Sequence, residues 1–226
     1  MDDPSQPDYL HIEIPIGCLD TEHLRAVLMP SSGYHCDVWR VSRVMVHEAG
    51  RRSSLDYVIK RHREPAGLQD ARILHNDYLK LKADLEDIVP DAVFLWTQVG
   101  DAANCVVIAE AVHPWFNIAN PANEEDLIPL LARLPKAQVQ LEAFLDAARR
   151  WDNEEGRVID LWGLDNLVLD VNHEIRYIDS FRVFFFEDLL HAIESEDDDD
   201  GLAEKINVSR QRRLFLQYIL EEARPG

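Results

Sequence analysis

Two short apolar runs carry an amide before the first run and a carboxylate after the second. Asn166 precedes residues 167–169, turn-forming residues occupy 170–174, and Asp179 follows residues 175–178. Apolar runs joined by turn formers predict a tight β-hairpin. Side by side on an antiparallel pair, an amide oxygen and a carboxylate can bind a hard cation such as Mg²⁺, which takes oxygen ligands. The spacing therefore predicts a metal site formed by Asn166 and Asp179.

The segment that runs from Asp160 through Asn166 to Phe181 resembles the catalytic loop and metal-binding hairpin of the protein-kinase-like fold. That family has Asp-x-x-x-x-Asn, then strand, turn and strand, and then Asp-Phe-Gly. The interval between Asn166 and Asp179 is 13 residues (179 − 166), which is the usual interval in the family. The resemblance implies ATP and Mg²⁺ as cofactors, Asn166 and Asp179 as metal ligands, and Asp160 as the catalytic base.

The tripeptide Val-Ile-Lys60 resembles the Val-Ala-Ile-Lys strand of the family, whose lysine binds the α- and β-phosphates. The resemblance therefore gives Lys60 both a catalytic and a nucleotide-binding role. Residues 31–38 can be aligned with the glycine-rich loop over the phosphates, although only Gly33 and Val38 match its motif. This alignment implies that Ser32, Gly33 and Val38 contact the nucleotide. A plain hairpin turn explains the same residues equally well.

Two further parts of the resemblance concern the lysine and the nucleobase. The family uses an acid on the helix after the lysine strand to orient the lysine, and here the helix offers Asp77, with Asp70 as an alternative. Aspartate is one methylene shorter than the glutamate of the family, and an acid on the helix surface is the competing interpretation. Residues 106–112 resemble the hinge whose backbone groups bind adenine, which implies that Glu110 and Val112 belong to the cofactor site.

The chain departs from the family pattern around the catalytic base. Asp160 lies six residues before Asn166 instead of five, so a one-residue bulge around Gly163 is needed to return it to the site. Asp165 is a competing acid. Asp-Ser-Phe replaces Asp-Phe-Gly at 179–181, and only 47 residues follow (226 − 179). That length is too short for the large helical lobe of a regulated protein kinase, so we expect no activation-loop switch.

Composition restricts the classes of partner and the cellular location. With 226 residues and 46% apolar content, the chain can bury one core or two small lobes. A formal charge of −19 argues against a surface for nucleic acid or anionic membranes. No apolar run reaches the roughly 18–20 residues of a membrane helix, and the first residues lack the features of a signal peptide. Three scattered cysteines indicate neither a disulfide framework nor zinc, so we expect a cytoplasmic protein.

Hydrophobic periodicity predicts the secondary structure. Predicted strands of the first half cover residues 11–16, 24–29, 38–46, 55–60, 92–98 and 105–111. One helix is predicted there, at 66–85, and residues 1–8 are expected to be disordered. In the second half, a loop at 113–121 precedes helices predicted at 124–134, 137–152, 184–193 and 202–223. The acidic run at 194–200 is expected to be a solvated loop, because it lacks the glycine and closing glutamate of a calcium site.

These elements predict an α+β fold with the bilobal organisation of the kinase-like family. Residues 1–112 are expected to form a small N-lobe, made of an antiparallel sheet and one helix. Residues 113–226 are expected to form a reduced, mainly helical C-lobe that carries the hairpin at 160–181.

Three functions are compatible with these residues. The first is an atypical kinase-like phosphotransferase that moves a phosphoryl group from Mg·ATP to a hydroxyl of an unidentified small molecule or protein. The second is a pseudokinase, a nucleotide-binding or empty scaffold for a protein partner, which the degenerate glycine loop and the displaced Asp160 favour. The third is a metal-dependent hydrolase or a plain α+β binding domain. Trp115, Phe116 and Trp162 are candidates for an aromatic acceptor wall, and positions in the core explain them equally well.

Overall fold

An antiparallel sheet dominates the first half of the chain. A computed structural model of the protein describes residues 26–29, 36–46, 52–188 and 196–224. Within these ranges the sheet has five strands: β1 (Ala26–Leu28), β2 (Cys36–Val46), β3 (Arg52–His62), β4 (Ala92–Val99) and β5 (Ala102–Glu110). Their spatial order is β1-β2-β3-β5-β4, with every neighbouring pair antiparallel. The strands predicted in this part are confirmed, while the expectations for residues 1–8 and 11–16 lie outside the described residues.

The register of the sheet determines which side chains share a face. Lys60 on β3 lies opposite Val38 on β2 and opposite Val107 on β5. Val58, two residues before Lys60, lies opposite Ala109. Because residues paired across strands, and residues two apart on one strand, point to the same side, these five side chains lie on one face.

One helix, α1 (Leu68–Leu85), follows β3 as predicted. Its buried apolar residues recur every three or four positions, at Ala71, Leu74, Tyr78, Leu81 and Leu85. Leu74 and Ala71 pack with the sheet and Phe181, whereas Tyr78, Leu81 and Leu85 join the large core of the second half. A short 3₁₀ turn, Glu86–Ile88, then leads into β4. The helix therefore connects the packing of the two halves.

Among its described residues, the second half combines three α-helices with two small sheets. The helices are α2 (Glu124–Leu131), α3 (Pro135–Glu155) and α4 (Glu196–Ala223). The strands are β6 (Pro114–Asn117), β7 (Arg157–Ile159), β8 (Leu167–Asp170), β9 (Ile175–Tyr177) and β10 (Phe184–Phe186). One sheet has the order β6-β8-β9, and β7 pairs with β10. The predicted helices at 124–134, 137–152 and 202–223 are confirmed, with modest changes of their ends.

The hairpin β8–β9 is confirmed at the predicted place. Leu167 lies opposite Tyr177, and Leu169 lies opposite Ile175. Asp170 closes the turn, because its Oδ1 accepts hydrogen bonds from the backbone N–H groups of Asn172 at 2.8 Å and Glu174 at 3.0 Å. Side-chain capping of this kind explains why the turn-rich sequence between the two apolar runs forms a tight connection.

Three expectations for the second half are wrong. Within the loop expected at 113–121, residues 114–117 form β6, which pairs with β8. Residues 184–186 of the helix expected at 184–193 form β10, where Phe184 lies opposite Ile159. Residues 196–200 of the acidic run belong to the first turns of α4 instead of a loop. The first two errors have one cause, since a short apolar run cannot reveal its partner strand.

The main hydrophobic core lies in the second half. Trp151, Phe144 and Leu141 of α3 pack there with Tyr177 and Leu167 of the hairpin, and all five are fully buried. Within the described residues the fold is therefore α+β, with antiparallel sheets and four α-helices, as the sequence predicted. The kinase-like bilobal arrangement remains a prediction.

Candidate functional site

A cleft with a volume of about 310 Å³ lies between the five-stranded sheet and the hairpin. The sheet contributes residues of β2, β3 and β5, and the opposite side comes from the loop after β7 and the end of β9. The predicted site residues that line it are Val38, Lys60, Glu110, Val112, Asp160, Asn166 and Asp179. Residues from distant parts of the sequence therefore meet in one cleft.

Lys60 reaches across the cleft from β3 to the chain that follows β9. Its Nζ donates hydrogen bonds to the carbonyl oxygen of Ile178 at 2.5 Å and to Oγ of Ser180 at 3.0 Å. Lys60 is only 8% exposed. A buried ammonium needs such acceptors, since burial of a charge without them is costly. The lysine is thus fixed at the hairpin side of the cleft.

Asp179 lies between these two acceptors in the sequence, at the end of the hairpin. Its Oδ1 accepts the backbone N–H groups of Ser180 at 2.7 Å and Phe181 at 3.3 Å. Burial raises the pKa of Asp179, while the positive charge of Lys60 and the two N–H groups partly oppose that increase. The carboxylate is therefore held in a fixed orientation beside a cation.

Asp160 is the second acid of the cleft and is 7% exposed. Its Oδ1 accepts the backbone N–H of Trp162 at 2.7 Å. Burial, and then the nearby charge of Asp179, raise the pKa of Asp160 to about 7. The turn at 163–165 returns the chain so that Asp160 lines the cleft despite its displaced position in the sequence. The competing acid, Asp165, is exposed and also lines the cleft.

Asn166 is oriented by the backbone of Asp160. Its Nδ2 donates a hydrogen bond to the carbonyl oxygen of Asp160 at 3.1 Å, and the hydroxyl of Tyr177 donates to the same oxygen at 3.1 Å. With the nitrogen used in this way, Oδ1 of Asn166 is the amide atom that can serve as a metal ligand. The side chain rests against Gly163, whose missing Cβ provides the space.

The donor set fits Mg²⁺ as a partner of a nucleotide. Among the described residues no group of three or more His, Cys, Asp and Glu could hold a metal by itself. Asn166 and Asp179 nevertheless offer an amide oxygen and a carboxylate in the same cleft. Mg²⁺ is commonly bound through one or two protein oxygens, with substrate phosphates and water completing its shell. Two protein ligands therefore suit a metal that arrives with a nucleotide.

Asp77 does not lie beside Lys60, contrary to the expectation for the helix acid. It is buried on α1, 3.7 Å from Arg157 on β7, and burial raises its pKa while Arg157 opposes that effect. The alternative acid, Asp70, caps α1 by accepting the backbone N–H of Gly67 at 2.8 Å. Neither aspartate lines the cleft. The side of α1 that faces the sheet is apolar, so the helix presents Leu74 where an acid was expected.

The structure describes part of the segment aligned with the glycine-rich loop and all of the segment expected to be the hinge. Ser32 and Gly33 lie outside the described residues, whereas Val38 lines the cleft from β2. Glu110 and Val112 also line the cleft. The carboxylate of Glu110 pairs with Arg176 at 3.2 Å, and its backbone N–H donates to the carbonyl oxygen of Asp91 at 2.9 Å. The segment expected to be the hinge therefore borders the cleft.

Sequence reasoning missed three polar residues of the cleft: Ser180, Arg40 and Lys205. Ser180 stands directly after Asp179, so the altered Asp-Ser-Phe tripeptide was a usable signal. Arg40 lies two residues after Val38 on the same strand, so the period of two places it on the same face. Lys205 comes from α4 and lies 5.4 Å from the ring of Trp162. Nothing local in the sequence indicated that α4 reaches the cleft.

The three aromatic candidates for an acceptor wall are separated. Trp162 is 40% exposed and lines the cleft. Trp115 is exposed elsewhere, with its ring centroid 4.9 Å from that of His173. Phe116 is partly buried against the main core. Of the three, Trp162 alone is positioned to contact a molecule in the cleft.

Comparison with known proteins does not assign a family to the chain. No protein-family model matches the chain, and no curated protein matches its sequence. In the described ranges no helix combines the length and the apolar character that crossing a bilayer requires. The geometry of the cleft is therefore the basis of the functional argument.

Proposed function

We propose that this protein is an atypical kinase-like phosphotransferase that moves a phosphoryl group from Mg·ATP to a hydroxyl acceptor. One observation carries the proposal: Lys60, Asp160, Asn166 and Asp179 line a single cleft. The same four residues are those that the resemblance to the kinase-like family selected from the sequence as the lysine, the base and the two metal ligands. A chance arrangement of acids has no reason to bring this combination together.

Each residue has a physical role in the proposed reaction. Asn166 and Asp179 present the oxygens that would hold Mg²⁺, and bound Mg²⁺ would neutralise charge on the phosphates. Lys60 supplies a positive charge for the same phosphates. Phosphoryl transfer depends mainly on positioning and electrostatic stabilisation, so a fixed ammonium and fixed ligands are the contributions required of the protein.

Asp160 is the proposed base. A pKa of about 7 allows the carboxylate to accept a proton near neutral pH. Asp160 lines the cleft together with Trp162 and Lys205, so these side chains would surround the hydroxyl group of an acceptor. The acceptor is a small molecule or a protein side chain, and Asp160 would orient its hydroxyl group and receive the proton.

A cytoplasmic setting belongs to the same proposal. Cys36 and Cys105 are free and buried, and burial raises the pKa of each thiol to about 11. Such thiols are unreactive and fit a reducing compartment. Mg·ATP is available in that compartment.

A pseudokinase is the second candidate, and one observation favours it. Asp77 faces Arg157 instead of Lys60, so the ion pair that marks an active kinase-like site is missing from its usual place. A protein of this kind would bind the nucleotide, or leave the cleft empty, and present its surface to a protein partner. Binding and turnover therefore have to be measured separately.

Calorimetric titration of the full-length protein with ATP, in Mg²⁺ and in EDTA, tests the proposal. We expect binding that depends on Mg²⁺ and that falls at least about tenfold in Asp179→Asn and Asn166→Ala. Asp146→Asn is the matched control, because its carboxylate is exposed on α3 far from the cleft. Absence of ATP binding in the wild-type protein, or unchanged affinity in both cleft variants, would contradict the proposal.

Turnover separates the two candidate functions. We expect slow release of ADP from Mg·ATP by the wild-type protein, because water can replace the acceptor in phosphoryl transfer. Nucleotide binding without any ADP release, with a panel of sugars and hydroxyl-containing peptides present, would favour the pseudokinase.

A further inference from the structure

The ammonium of Lys60 is held by two residues at the end of the hairpin β8–β9, on either side of Asp179. It donates to the carbonyl oxygen of Ile178 at 2.5 Å and to the hydroxyl oxygen of Ser180 at 3.0 Å. Asp179, between them, acts on it through its charge. Both hydrogen-bond acceptors are neutral oxygens. Lys60 is therefore fixed without a hydrogen bond to the carboxylate of Asp179.

The helix that follows the lysine strand does not contribute to this arrangement. Asp77 is engaged with Arg157, and Asp70 is engaged with the backbone N–H of Gly67. The residues of α1 in the apolar cluster that contains Phe181 are Ala71 and Leu74. The support of Lys60 thus comes from the hairpin instead of α1.

Ser180 contacts both Lys60 and Asp179. Its backbone N–H donates to Oδ1 of Asp179 at 2.7 Å, and its hydroxyl oxygen accepts from Nζ of Lys60. The side chain is buried, so water does not compete for the hydroxyl. One residue therefore sets the position of the carboxylate through its main chain and the position of the ammonium through its side chain.

We infer that Ser180 is the positioning residue for Lys60 and performs the task that the resemblance assigned to an acid of α1. The catalytic importance of Ser180 rests on the proposed function, whereas its hydrogen bond with Lys60 does not. The hydroxyl carries no charge, so it holds the lysine without lowering its attraction for phosphates. Because Ser180 is covalently linked to Asp179, the position of the lysine is coupled to that of the proposed metal ligand.

The reactivity of the Lys60 amine tests this inference without any nucleotide. The full-length protein is acetylated with sulfosuccinimidyl acetate, and the rate at Lys60 is measured by mass spectrometry relative to exposed Lys136. We expect Ser180→Ala to raise the relative rate at Lys60 about fivefold, the factor for one lost hydrogen bond. Ser180→Thr keeps the hydroxyl and is expected to restore the wild-type rate.

Two further variants exclude a general loosening of the fold. Ser42→Ala removes a hydroxyl that contacts Asp56 on the same sheet and is expected to leave the rate at Lys60 unchanged. Asp77→Asn is also expected to leave it unchanged. An unchanged rate in Ser180→Ala, or an equal increase in Asp77→Asn, would overturn the inference. If Ser180→Ala unfolds at the assay temperature, Ser180→Cys replaces it, because a slightly larger thiol fills the site and its sulfur is only a weak hydrogen-bond acceptor.

ATP titration then links the contact to the proposed function. We expect Ser180→Ala to weaken Mg·ATP binding about fivefold when Lys60 is present, and to have no further effect in a Lys60→Met background. Equal losses in both backgrounds would mean a merely structural role and would overturn the inference. If the wild-type protein does not bind ATP, the proposed function fails, while the acetylation rates still decide the role of Ser180.

Discussion

Asn166 packs so closely against Gly163 that a side chain at position 163 would displace the side chain of Asn166. A Cβ atom on residue 163 would lie 2.5 Å from Oδ1 and 2.8 Å from Cγ of Asn166. The backbone N–H of Asn166 also donates to the carbonyl oxygen of Gly163 at 3.4 Å. The orientation of the Asn166 side chain thus depends on a residue without a side chain at position 163. This glycine accommodates the one-residue displacement that distinguishes the segment from the kinase-like pattern.

We expect Gly163→Ala to displace the Asn166 side chain and to weaken Mg²⁺-dependent ATP binding roughly tenfold to 100-fold, as loss of ligand orientation does in metal sites. Calorimetry in Mg²⁺ and in EDTA measures the effect. Gly201→Ala is the control, because a Cβ at that helical position meets no atom within 4 Å. Equal Mg²⁺-dependent affinity in Gly163→Ala and the wild-type protein would contradict the assignment of Asn166 as a ligand.

Asp160→Asn is expected to keep nucleotide affinity and to lower phosphoryl transfer about 10²–10⁴-fold, the usual contribution of a general base. ADP release and ATP calorimetry on the same preparation measure the two effects. Normal turnover in the variant would indicate Asp165, which also lines the cleft, or water as the base. Asp165→Asn is therefore the matched comparison.

The same substitution is expected to stabilise the nucleotide-free protein. The pKa of Asp160 rises from 3.8 to about 7 on folding, so the folded state resists an ionisation that the unfolded chain undergoes freely. Stability is therefore lost as pH rises from about 4 to 7, and Asn avoids that loss. We expect Asp160→Asn to be more stable on the order of 2 kcal/mol at pH 8, with little difference at pH 4. Thermal unfolding in EDTA at both pH values measures this.

Asp56 is expected to stabilise the sheet above pH 4. Arg40 and Ser42 hydrogen-bond its carboxylate and lower its pKa from 3.8 to about 2. The contribution is fully present above the unfolded pKa and disappears as pH falls toward 2. After allowance for solvent screening, we expect Asp56→Asn to cost about 1 kcal/mol at pH 7. In urea unfolding, the difference in free energy of unfolding between the wild-type protein and Asp56→Asn should be smaller at pH 3 than at pH 7. Asp101→Asn, in an exposed turn, should show no such difference at either pH.

Asp152 is expected to be essential for docking α4 onto α3. Its carboxylate, 7% exposed, pairs with Arg210 at 2.6 Å and with Arg213 at 3.0 Å, both on α4. Asp152→Ala would leave Arg213 without its anion and Arg210 with Glu187 alone, a change that costs roughly 3 kcal/mol. Chemical denaturation measures the loss. Asp146→Ala, on the exposed side of the same helix, should change stability by no more than about 0.5 kcal/mol.

Local patterns predicted most of the helices and strands, because the residues that determine each of these elements lie close together in the sequence. The stripe on α1 repeats at helical spacing, and the strands of the first sheet show their own apolar runs. The hairpin β8–β9 was predicted with its turn, since Asp170 and its neighbours carry turn chemistry. Strand β10 was mistaken for a helix because its partner, β7, lies 25 residues earlier, and Phe184 shows its strand character only through that pairing (184 − 159).

The sequence by itself selected Lys60, Asp160, Asn166 and Asp179 as candidate site residues, because their types and order resemble the kinase-like pattern, and it left Asp165 as a competing acid. It could not determine what holds Lys60. Several acids on α1 satisfied the pattern, and helical spacing does not say which side of a helix meets a given strand. Packing turned Leu74 toward the sheet and Asp77 toward Arg157. Nζ of Lys60 therefore donates a hydrogen bond to Oγ of Ser180 at 3.0 Å. The two residues are 120 positions apart in the sequence, and only the tertiary structure brings them together.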